Sequence, residues 1–88
     1  MSAAVQGLSD KALAVFAFAA YHQLNSGQAV SSVVQNDGAG HKADDAAVAE
    51  LQGRGLVQAD GSFIHFTHQG EAALQALIDS LRGAFTRP

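Results

Sequence analysis

The sequence predicts one small α+β domain with more helix than strand. Its 88 residues are the length of a single small domain. An apolar content of 48% against 15% charged residues excludes a disordered chain. Two stretches with helical spacing of apolar residues lie toward the two ends, and an Asp60-Gly61 hairpin signal lies between them.

The first helix is predicted from Asp10 to about Leu24, with Ser9 as N-cap and an end near residues 25–27. At about 100° per residue, one broad apolar face, expected to be the main buried face of the helix, is formed by Leu13, Phe16, Ala17, Ala20, Tyr21 and Leu24. The other side holds Lys11, Val15, Phe18 and His22. Large apolar groups on both sides predict a helix that is sandwiched, by its own domain or by a second subunit.

The middle of the chain predicts a very short strand and then a short helix capped by Ser31, within residues 28–36. Its inward-facing residues would be Val30, Val33 and Val34. Residues 37–41 read as a flexible turn because they contain two glycines. The next helix is expected from Ala43 or Asp44 to Gln52. Its buried face would be Ala47, Val48 and Leu51.

Residues 56–59 and 62–66 predict two strands joined by a type I′ turn at Asp60-Gly61, which would place Val57 beside Ile64. Thr67 is expected to cap a final helix. That helix carries a narrow apolar stripe formed by Leu74, Leu77, Ile78, Leu81 and Phe85. Residues 1–7 and 86–88 are expected to be flexible tails.

Three motifs follow one another in the second half of the chain. They are Val48-x-x-Leu51-x-x-Arg54-Gly55-Leu56-Val57, the Asp60-Gly61 turn, and Phe66-Thr67-x-x-Gly70. This pattern resembles a winged helix-turn-helix domain of the MarR/PadR type. The resemblance implies a single winged-helix domain over residues 1–88, in a small bacterial transcription regulator that binds double-stranded DNA as a homodimer.

In that family the helix before the hairpin enters the major groove. The resemblance therefore suggests DNA contacts at His41, Lys42, Gln52 and Arg54. The same helix would also present Asp45 and Glu50, and the whole net charge of −3 arises within residues 28–53. Carboxylates oppose binding to a polyanion. An acidic winged-helix module that binds protein and not DNA is the alternative.

The terminal helices suggest an interface. Candidate residues for a homodimer or a partner contact are Val15, Phe18, Leu74, Leu81 and Phe85. Such regulators commonly dimerise through helices outside the DNA-reading unit, and a two-fold dimer needs one self-complementary patch. The competing interpretation is that these side chains close the core of the monomer.

Other classes of function are disfavoured. The absence of cysteine excludes disulfides, thiolate zinc sites and a cysteine nucleophile, and favours the cytoplasm. Neither a membrane span nor the basic start of a signal peptide is expected. His65 and His68 are expected to be surface histidines, without a metal or cofactor. No constellation of catalytic side chains is evident, so an enzyme is not predicted.

Overall fold

The computed structural model describes residues 7–36 and 43–85. The expected tails, apart from Gly7, and the expected turn at 37–41 lie outside the described residues. The elements in chain order are α1 (Asp10–Ser26), β1 (Ser32–Val34), α2 (Asp45–Gly53), β2 (Val57–Ala59), β3 (Phe63–Phe66) and α3 (His68–Phe85). The predicted α+β class with more helix than strand is confirmed.

The caps predicted at Ser9 and Thr67, and the predicted end of the first helix near residue 27, are confirmed. Ser9 Oγ accepts a hydrogen bond from the backbone N–H of Ala12 at 3.2 Å at the start of α1. Gly27 ends that helix in the left-handed region, with φ of 77°. At the start of α3, Thr67 Oγ1 accepts a hydrogen bond from the N–H of Gly70 at 3.1 Å. These signals were readable because a cap depends on only a few consecutive residues.

The three strands form one antiparallel sheet in the order β1-β3-β2. The short helix expected after Ser31 is a wrong prediction, because that segment pairs with β3. The Ser31 carbonyl accepts a hydrogen bond from the Phe66 N–H, and the Gln35 N–H donates to the Ser62 carbonyl, each at 2.8 Å. Pairing to a neighbouring strand therefore outweighs the serine capping signal at this position.

The hairpin between β2 and β3 turns one residue later than predicted. Asp60 N–H donates to the Phe63 carbonyl at 3.1 Å, so the central turn residues are Gly61 and Ser62. Only Gly61 of the two has a positive φ, 97°, which fits a type II′ turn and not type I′. Val57 consequently pairs with Phe66 and not with Ile64. Val57 and Ile64 are nevertheless both buried, as predicted.

One core joins the helices to the inner face of the sheet. The buried apolar residues are Leu8, Ala12, Val15, Phe16, Ala19, Ala20, Val33, Ala47, Val48, Leu51, Leu56, Val57, Ile64, Phe66, Ala73, Leu74 and Ile78. The rings of Phe16 and Phe66 lie 5.4 Å apart in this core and connect α1 to β3. Since α1 also contacts α2 and α3, it is the central helix of the domain.

The buried face of α1 differs from the prediction. It consists of Ala12, Val15, Phe16, Ala19 and Ala20. Leu13, Tyr21 and Leu24, which were expected to face inward, are exposed. Small alanine side chains allow other elements to approach the helix backbone closely, so the core selects this face even though larger apolar residues lie elsewhere.

Gly70 determines how α3 packs on the hairpin. A Cβ atom at Gly70 would overlap the backbone carbonyl oxygen of Leu56. That carbonyl also accepts a hydrogen bond from the Thr67 N–H at 3.0 Å, and Thr67 Oγ1 donates to the Gly55 carbonyl at 2.7 Å. The Thr67-x-x-Gly70 motif therefore joins the first turn of α3 to the chain that enters β2.

Candidate nucleic-acid interface

The outward surface of α2 is short and has no positive side chain of its own. The helix covers Asp45–Gly53, and no lysine or arginine occurs within it. Its exposed residues are Asp45, Ala46, Ala49, Gln52 and Gly53. Alanine side chains reach little of a base edge, and a carboxylate opposes phosphate. This helix is the one that the resemblance would place in the major groove.

Glu50 of α2 faces the start of α1. Its carboxylate accepts a hydrogen bond from the backbone N–H of Ser9 at 2.9 Å and another from Ser9 Oγ at 2.7 Å. These bonds, from the backbone first and then from the hydroxyl, lower the pKa of Glu50, and the charge of Arg54 adds to the effect. The carboxylate thus holds two helices together, which the sequence did not reveal.

Asp44 is likewise engaged within the domain. Its side chain caps α2 by accepting a hydrogen bond from the N–H of Ala47 at 2.9 Å. Lys11 Nζ lies 3.3 Å from the other carboxylate oxygen, in an exposed ion pair. The backbone hydrogen bond lowers the pKa of Asp44 most, and Lys11 lowers it further. Asp44 therefore serves as the N-cap of α2.

Of the four residues predicted to contact DNA, Gln52 and Arg54 lie in the described part of the structure. Gln52 Oε1 accepts a hydrogen bond from the backbone N–H of Ala59 at 3.1 Å, so this side chain connects α2 to β2. Arg54 follows the end of α2, and its guanidinium lies close to Gly7. A Cβ atom added at Gly7 would be 3.4 Å from Arg54 Nη2. His41 and Lys42 lie outside the described residues.

The tip of the hairpin carries a carboxylate. Asp60 Oδ1 accepts hydrogen bonds from the N–H groups of Phe63 at 2.8 Å and Ser62 at 2.9 Å. His65 Nε2 lies 3.1 Å from the other oxygen. The two backbone bonds, followed by the histidine, lower the pKa of Asp60 to about 2. Asp60 therefore carries its negative charge at neutral pH, beside His65.

The predicted interface residues divide between core and surface. Val15 and Leu74 are buried in the core of the domain, 7% and 1% exposed, which favours the core interpretation for both. Phe18 is half-buried and packs against the core. Leu81 is 37% exposed on α3. The side chain of Phe85 lies outside the described part of the structure.

An exposed apolar surface lies instead on the other flank of α1. We name it the α1 apolar face, and it consists of Leu13, Ala17, Tyr21 and Leu24. Tyr21 is 61% exposed and Leu24 is 45% exposed. The sequence pattern did group these residues, but it assigned them to the core.

Two clefts lie on either side of Phe18, between α1 and β1. The first, about 260 Å³, extends toward Lys11 and Asp44, and the second, about 350 Å³, extends toward His22 and Phe63. The ring of Phe18 packs edge-on to that of His22, with centroids 4.5 Å apart. Both clefts are bordered mainly by apolar side chains and contain no arrangement suited to acid–base catalysis among the residues described.

The described segments, 7–36 and 43–85, offer neither a metal-binding group of side chains nor a membrane-spanning helix. Within them, no group of three or more His, Asp or Glu side chains could hold a metal ion. None of the three helices there is both long enough and apolar enough to cross a bilayer. Of the two histidines expected at the surface, His65 and His68, the first is paired with Asp60.

Comparison of the chain with protein-family models, with curated proteins and with solved structures gave no match. The winged-helix resemblance therefore depends on the three motifs and on the order of the elements.

Proposed function

We propose that the domain is a winged-helix module that binds protein and does not read DNA. The element order and the sheet order β1-β3-β2 support a helix, α2, followed by a β-hairpin wing. The single observation that carries the functional part is the charge on these two elements. Asp45 is exposed on α2, and Asp60 is held ionised at the tip of the hairpin.

The electrostatic argument is direct. Non-specific affinity for DNA comes from lysine and arginine side chains that neutralise phosphates and release counterions. Neither α2 nor the segment from Val57 to Phe66 contains a lysine or an arginine. Both elements instead bring a carboxylate toward the polyanion. Contact through this surface would be repulsive where a DNA-reading domain needs attraction.

A protein partner fits the remaining surface better. Exposed apolar side chains on a small domain indicate a contact with another protein surface when they form a contiguous patch. The α1 apolar face includes a tyrosine, a residue type that is enriched in protein interfaces. The acidic residues Asp44 and Glu50 already have partners inside the domain. We therefore assign binding to α1 and not to the acidic end of α2.

A titration of the whole chain with a random-sequence DNA duplex tests this proposal. At about 20 mM salt, where charge attraction is least screened, the proposal predicts no saturable binding at micromolar protein. An unrelated basic DNA-binding domain serves as the positive control. Saturable binding that weakens steeply as salt rises would contradict the proposal, since that slope counts the phosphates neutralised.

The DNA-binding regulator remains the second candidate function. Arg54 favours it, because this cation follows α2 directly, and His41 and Lys42 precede the helix in sequence. On this hypothesis, Lys42→Ala and Arg54→Ala would each weaken duplex binding and reduce the salt slope by about one. Asp45→Gln would tighten binding. Glu50→Gln is unsuitable for that test because it would disturb the contact with Ser9.

A further inference from the structure

We draw no further inference here: the strongest candidate, the mainly apolar cleft between α1 and β1 that extends from Phe18 toward Lys11 and Asp44, carries nothing because these two charged side chains pair with each other and nothing in the structure shows what occupies the cleft.

Discussion

Glu50 and Ser9 are 41 positions apart in sequence and joined by two hydrogen bonds, one from the backbone N–H and one from the hydroxyl of Ser9. Ser9 Oγ also accepts from the N–H of Ala12. One serine thus caps α1 and attaches it to α2. The carboxylate that would have opposed DNA is a structural link between two helices.

Ser9→Ala should lower the free energy of unfolding by about 1 kcal/mol, the usual cost of losing an N-cap. Ser80→Ala, at an exposed position inside α3, is the control and should cost nothing. Urea unfolding of both variants at pH 7 measures the difference. Equal stability of the Ser9→Ala chain and the unmodified chain would contradict the capping role.

The Glu50 contact should also depend on pH. The pKa of Glu50 is lowered in the folded state, so its stabilisation is present above its ordinary value, near 4.5, and is lost as pH falls through the lowered pKa. Glu50→Gln should therefore destabilise the domain at pH 7 and much less in acid. A destabilisation independent of pH would contradict this account.

Asp60 predicts a similar dependence for the hairpin. Its pKa of about 2 is below the ordinary value of 3.8, so its stabilisation is complete above that value and disappears as pH falls toward 2. Asp60→Ala should lower the thermal unfolding midpoint at pH 6, and the gap should narrow steadily between pH 4 and pH 2. Unfolding followed by circular dichroism across that range checks it.

Gly70→Ala should cost about 3 kcal/mol or more, because its Cβ would overlap the backbone of Leu56 and neither chain segment can yield easily. Gly83→Ala is the matched control in the same helix. Its Cβ would meet open space, so this change should raise stability by roughly 0.5–1 kcal/mol. Chemical unfolding of the pair tests the packing of α3, and similar values for both variants would refute it.

Phe16→Ala should cost about 3–5 kcal/mol, because the ring is 1% exposed and packs on Phe66. Phe63→Ala, at a ring that is 44% exposed, should cost about 1 kcal/mol or less. The same unfolding experiment compares them. A larger loss at Phe63 than at Phe16 would mean that the core has been assigned to the wrong face of the sheet.

The fold was predictable wherever a local signal determines it. Ser9, Gly27 and Thr67 end or begin helices through bonds to residues a few positions away, and all three were identified. The strand at Ser32–Val34 was only half-predicted, because a distant partner, β3, holds it extended. The turn at Gly61 was displaced by one residue because the Asp60 side chain binds the backbone ahead of it.

The candidate surfaces were less predictable than the fold. Helix α1 is apolar around nearly its whole circumference, so hydrophobic spacing could not decide between Val15 and Leu13 as a core residue. The contacts of Glu50 with Ser9 and of Gln52 with Ala59 have no sequence signature at all. They depend on how separate elements pack, and spacing along the chain does not contain that information.

The central claim is that this domain binds through α1 and not through α2 and its hairpin. An amide chemical-shift map of the whole chain, recorded during addition of duplex DNA at low salt, tests the second half of this claim most directly. We expect the duplex to shift no amide across Asp45–Gly53 or at Gly61. Shifts across these residues that saturate as duplex is added would contradict the claim.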